Sequence, residues 1–164
     1  MPVYSCTLWQ YFKQQAIGQV AIPMVTRYEM FENLLDGLMY IQQKKLRHLD
    51  MKLSNVLIRI GHDGKWDGSS IVITDFGIGG KSDGNQECAG TPGFASPEQL
   101  IGAAHAKSDN YGFGRLMAFI FCSWKGAWNL LFKPVTELDI NALSPDTTRD
   151  QLFKIIKDLT QVNI

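Results

Sequence analysis

Phe31, Leu34, Leu35, Leu38 and Ile41 recur at steps of three and four, and this stripe constrains the fold more than any other feature. Only a helix brings such positions onto one face. The spacing predicts an amphipathic helix over residues 26–45. Thr26-Arg27-Tyr28-Glu29 reads as a capping box, in which the Thr side chain accepts from backbone N–H groups and the Glu reaches back. Lys44 and Lys45 fall in the last turn, where positive charge suits the helix dipole. A helix with one apolar face must pack on a core, so it delivers the residues that follow to the edge of that core.

Those residues are His48-Leu49-Asp50-Met51-Lys52-Leu53-Ser54-Asn55, a carboxylate, an ammonium and a carboxamide within six positions. Asp50 is able to accept a proton or orient a hydroxyl, Lys52 to hold a phosphate oxygen, and Asn55 to ligate a hard cation. The apolar Val56-Leu57-Ile58 behind them reads as a strand, which would fix the polar groups on a loop beside packed structure.

Around this centre the pattern predicts a strand ending at Cys6 and a short helix over 8–14 with Leu8, Tyr11 and Phe12 on one face. A break follows over 18–23. Two strands, 55–60 and 71–74, flank a Gly-Asp-rich turn over 61–70 that lacks the bidentate Glu of a calcium loop. Residues 78–96 form a long loop. A largely apolar helix runs over 108–125, and Ser144-Pro145-Asp146 starts a last helix bearing Leu152, Ile155, Ile156 and Leu159. The fold class is mainly α with a small β-hairpin.

The 164 residues suffice for one domain with a real core. Lys plus Arg and Asp plus Glu number 16 each, so no net charge draws the chain toward nucleic acid or anionic membrane. The most apolar stretch, 116–124, is about half of the ~20 residues that a membrane span needs and reads as a buried helix. The three cysteines, Cys6, Cys88 and Cys122, show neither zinc spacing nor an even disulfide set, which points to a reducing, cytoplasmic setting.

Twenty residues after Asn55 a strand ends in Thr74-Asp75-Phe76-Gly77. Ala89-Gly90-Thr91-Pro92-Gly93-Phe94-Ala95-Ser96-Pro97-Glu98 follows, then Lys107-Ser108-Asp109-Asn110-Tyr111-Gly112-Phe113-Gly114. With the His48–Asn55 run, these motifs in this order resemble the protein kinase family over nearly the whole chain, and Lys52 stands where Ser/Thr kinases rather than Tyr kinases carry lysine. The resemblance implies Asp50 as catalytic base, Lys52 as the lysine that steadies the transferring phosphoryl group, and Asn55 and Asp75 as ligands of Mg2+. It further implies Leu57 under the adenine of ATP and Thr91 as the substrate-loop threonine bonded to Asp50 and Lys52. Glu98 would close the activation segment, and Asp109 would hold the backbone around His48. A protein substrate is the implied partner.

Within that resemblance, nothing before Thr26 matches the family's glycine-rich loop, its strand lysine or the glutamate partner of that lysine. The expectation is a partial kinase domain over 1–164, hinge and large (C-terminal) lobe, with the small lobe and last helix absent. It includes an open apolar face around Leu8, Tyr11 and Leu57 that would meet the small lobe or another partner. Glu98 is expected to lack its usual arginine partner. Leu49 stands where many members carry arginine, so phosphorylation of the loop at Ser82 is not expected to be the main switch. The alternatives are a non-catalytic, pseudokinase-like binding module or an inactive fragment of a longer kinase.

Overall fold

The computed structural model describes residues 4–68, 71–81, 90–105, 107–122 and 149–160. Strand β1 (Cys6–Thr7) leads directly into α1 (Leu8–Ile17), whose start is fixed by a capping box. The Gln10 N–H donates to Thr7 Oγ1 at 3.1 Å while the Thr7 N–H donates to Gln10 Oε1 at 2.8 Å. The box expected at Thr26 for the second helix is not formed. Helix α2 (Met24–Gln43) opens two residues earlier behind Pro23, without a side-chain cap, and its first bond runs from the Arg27 N–H to the Pro23 carbonyl. Proline at the boundary has no N–H to satisfy and presets the entry angle, so Thr26 is already helical.

Strand β2 (Leu46–Arg47) follows α2, and a 3-10 turn (Leu53–Asn55) leads into β3 (Val56–Ile58). Strand β4 (Val72–Ile73) completes an antiparallel sheet of order β1-β3-β4, with Leu57 opposite Thr7 on one side and Val72 on the other. Strand β5 (Gly80–Lys81) pairs separately with β2. That second pairing brings Gly79 so close that an added Cβ would lie 2.3 Å from the Arg47 carbonyl oxygen, so only glycine fits there. The turn between β3 and β4 buries Trp66 against the core, a role its polar setting in the sequence concealed.

Helices α3 (Pro97–Leu100), α4 (Ser108–Phe121) and α5 (Arg149–Leu159) complete the described elements. Helix α4 is the spine of the core. Nearly every residue along it is buried, as expected of an apolar helix read as a core element, and α2 and α5 both pack against it. Leu34 and Leu38 of α2 are 0% and 3% exposed; burial of each contributes about 1.5–3 kcal/mol. Ser82, Cys88, Trp124, Lys125, the Ser144–Asp146 start signal and the side chain of Leu152 lie outside the described residues. None of the described helices is long and apolar enough to cross a membrane.

The apolar face expected around Leu8 and Tyr11 is not open. Leu8 is 0% and Tyr11 3% exposed, and only Leu57 is half-buried. The antiparallel pairing of β1 with β3 and the Thr7–Gln10 cap turn α1 so that its apolar side lies on the core.

Candidate functional site

The site forms on the loop between β2 and β3, where Thr91 of the 90–96 segment meets it. Asp50 is its hub. Its Oδ1 accepts from Thr91 Oγ1 at 2.6 Å, and its Oδ2 accepts from Lys52 Nζ at 2.6 Å and Asn55 Nδ2 at 3.0 Å. Lys52 Nζ also donates to Thr91 Oγ1 at 2.8 Å, and Asn55 Nδ2 to the Asp50 backbone carbonyl at 3.0 Å. Burial by itself would raise the Asp50 carboxyl. The hydrogen bonds from Lys52 and Thr91, the Lys52 charge and the Asn55 amide outweigh it and hold the pKa below the ordinary carboxylate value. Asp50 is therefore ionised at neutral pH, a state suited to orienting a hydroxyl by accepting its hydrogen bond.

The backbone of this loop is held from below. Both oxygens of Asp109, on the first turn of α4, accept backbone N–H groups at 2.7 Å, Oδ2 from His48 and Oδ1 from Leu49. Burial pushes the Asp109 carboxyl up, and these two N–H groups, with the charge of Arg47, oppose it. The His48 ring ties the loop to the strand end beyond it. Its Nδ1 accepts the Asp50 N–H at 3.1 Å, which leaves Nε2 to donate to the Thr74 carbonyl at 2.8 Å. The Phe76 ring lies against His48, with centroids 4.7 Å apart.

Asp75 has a left-handed backbone (φ 67°), unusual for a residue with a side chain and typical of strained functional positions. Its side chain is exposed and Oδ1 accepts the Gly77 N–H at 3.3 Å. One residue before it, the Thr74 N–H donates to the Asn55 carbonyl at 2.8 Å, which joins the two segments. The Asn55 amide N–H groups are spent on Asp50, so its Oδ1 faces away with no hydrogen-bond donor among the described residues. An amide oxygen and an exposed carboxylate on adjoining segments are hard donors that fit a small divalent cation keeping part of its water shell.

The structure thus brings Asp50, Lys52, Asn55 and Thr91 into one hydrogen-bonded cluster, places Asp75 beside it through Thr74, and sets Leu57 on the central strand of the sheet. Glu98 receives the Ser108 hydroxyl and faces His105 Nε2, each at 3.4 Å, while its buried Oε2 has no hydrogen-bond partner among the described residues. Two contributors carried no signal of their own. Gln99, 1% exposed, donates from Nε2 to the Leu49 carbonyl, and Arg115 Nε of α4 donates to the Gly93 carbonyl at 2.6 Å. Glycine immediately before Thr91 was the one available hint of a close approach there.

Comparison with known proteins points to one family. A family model described as a protein kinase domain matches residues 5–141. Over 126 residues, 70% of this chain, it is 32% identical to the G-type lectin S-receptor-like serine/threonine-protein kinase CES101 of Arabidopsis thaliana, covering 14% of that protein. It is 28% identical over 142 residues, 74% of the chain, to the cysteine-rich receptor-like protein kinase 41 of Arabidopsis thaliana, covering 20% of it. The meiosis-specific serine/threonine-protein kinase mek1 of Schizosaccharomyces pombe is 31% identical over 100 residues, 57% of this chain and 22% of mek1. The chain therefore spans about a fifth or less of the length of these relatives.

Proposed function

This chain belongs to the protein kinase family, and we propose that it forms the larger, catalytic lobe of a serine/threonine protein kinase that moves the γ-phosphate of ATP to a protein hydroxyl. The observation that carries this reading is the closed cluster on Asp50, in which Thr91, Lys52 and Asn55 all donate to one ionised carboxylate. Phosphoryl transfer asks little covalent chemistry of a protein; it asks for positioning and neutralisation of charge.

Each residue has a part. Asp50, its carboxylate fixed in rotation by three donors, accepts the hydrogen bond of the substrate hydroxyl and aims its oxygen in line. Lys52 has a third N–H beyond those given to Asp50 and Thr91, and it meets the transferring phosphoryl oxygens. Thr91 ties the segment that would present substrate to the loop that acts on it. Asn55 Oδ1 and Asp75 would hold Mg2+, which when bound neutralises the phosphate oxygens. Leu57 would pack under adenine.

The 164 residues by themselves contain no glycine-rich loop or strand lysine to grip the nucleotide. Misplacement by ~1 Å already costs ~100-fold in rate, so the isolated chain is expected to transfer phosphate negligibly. The second reading is a non-catalytic module of the same fold.

Mn2+ with ATP, titrated into the isotope-labelled chain, tests the site without requiring turnover. Selective paramagnetic broadening at Asn55 and Asp75, lost in Asp75→Asn, is the expected result; broadening elsewhere or nowhere overturns the site assignment. Phosphorylation of a generic Ser/Thr substrate by the isolated chain, abolished by Asp75→Asn, would overturn the expected inactivity. On the native message, a glycine-rich loop and strand lysine in frame upstream of Met1 would support the enzyme, and a stop codon there the module.

A further inference from the structure

Position 49 is where the kinase resemblance places an arginine, yet Leu49 is 3% exposed and adopts a left-handed backbone (φ 64°). Such a conformation is a rare outlier for a bulky residue and persists only where the surroundings hold it. Both of its backbone polar groups are held by side chains from other elements. Its N–H goes to Asp109 Oδ1 at 2.7 Å and its carbonyl accepts from Gln99 Nε2. Gln99 lies on α3, directly after the segment that carries Thr91.

The Gln99 amide is wedged against that segment as well. A Cβ on Gly90 would fall 2.4 Å from Gln99 Nε2 and 2.8 Å from the Ala95 Cβ, and Gly90 has φ 117°. Gly90 precedes Thr91, whose hydroxyl bonds Asp50, the residue after Leu49. Leu49, Asp50, Thr91, Gly90 and Gln99 therefore close a ring of covalent, hydrogen-bonded and packing contacts around one buried amide.

We propose that Gln99 is a positioning residue: its amide holds the catalytic loop and the 90–95 segment in register, so that Thr91 meets Asp50 without a charged side chain at position 49. This rests on the kinase reading of the site. An arginine at position 49 would need an anion on the loop to order it. A neutral amide donating to a backbone carbonyl needs none, and the register is built into the fold.

The test is amide hydrogen exchange on the full 164-residue chain. The Phe94 and Ala95 N–H groups both bond the Thr91 carbonyl and report on this turn. Gln99→Met keeps length and apolar bulk but removes the donor. It is expected to speed exchange at Phe94 and Ala95 by about tenfold relative to Leu34 and Leu38 of α2. Thr91→Val is expected to speed the same amides in the parent and to add nothing in the Gln99→Met background, because one register is lost either way. Unchanged exchange in Gln99→Met, or two substitutions whose effects simply multiply, overturns the proposal and leaves Gln99 a plain core amide. A second measurement uses the unsubstituted chain, whatever the variants do. The Gln99 side-chain amide protons are expected to exchange at least about a hundredfold more slowly than those of exposed Gln14; comparable rates overturn the proposal. Neither measurement involves nucleotide or transfer, so this inference and the kinase reading can fail separately.

Discussion

The Thr91 hydroxyl donates to Asp50 Oδ1 at 2.6 Å and so joins two loops 41 positions apart in sequence. The acceptor is ionised and the pair is part-buried, which places this bond among the stronger ones, about 1.5–3 kcal/mol. Thr91→Val keeps the shape of the side chain and removes both the donor to Asp50 and the acceptor for Lys52. The expected result is a loss of about 1–3 kcal/mol in urea unfolding. Thr91→Ser, which keeps the hydroxyl, should fall within about 0.5 kcal/mol of the parent. Equal behaviour of the two variants would show that the hydroxyl contributes nothing.

The same cluster makes stability depend on acid. The folded-state pKa of Asp50 is held below its unfolded value of about 3.9. Above that value Asp50 is ionised in both states and its contribution to stability is complete. As pH falls through the unfolded and then the folded pKa, the unfolded chain takes up the proton first, and the contribution drains away. Stability of the parent relative to Asp50→Asn should therefore shrink as pH drops below about 4. A constant difference between pH 7 and pH 3 would refute this.

What the sequence disclosed and what it hid divide by range. The Phe31–Ile41 stripe and the apolar 108–125 run are local patterns, and they form helices over Met24–Gln43 and Ser108–Phe121. Asp50, Lys52 and Asn55 lie within six positions, so their joint chemistry was legible before any contact was known. The start of α2 departs from the expected one because two local signals compete there, and Pro23 prevails over Thr26. The burial of Leu8 and Tyr11 depends on pairing of Cys6 and Thr7 with a strand some fifty residues on, which no window on 1–14 contains. Gln99 reads as an ordinary helix residue in sequence, and its meaning resides in a carbonyl fifty positions earlier.

Cys122 ends α4 at 2% exposure, and burial pushes its thiol up to about 12 despite the nearby Arg27 charge. At pH 8 that leaves a thiolate fraction of ~10⁻⁴, and the thiolate is the reactive form. Native chain treated with iodoacetamide and mapped by peptide mass should show Cys122 unmodified, with labelling only after denaturation. Modification of native Cys122 at the rate of a free cysteine would contradict its burial.

Asp109 answers two buried backbone donors with two oxygens, and that symmetry is what an amide cannot reproduce. In Asp109→Asn one N–H of the His48–Leu49 pair keeps its acceptor, while the other faces an NH2 group. Stranding one buried N–H costs about 1–3 kcal/mol. The loss should appear in urea unfolding together with faster exchange of the His48 or Leu49 amide. Because Leu49 and Asp50 are adjacent, the slackened backbone should also loosen the carboxylate that Thr91 and Lys52 grip. A stability loss with both amides still protected would mean that the helix start was damaged while the loop stayed in place, and would reject Asp109 as the anchor of this loop.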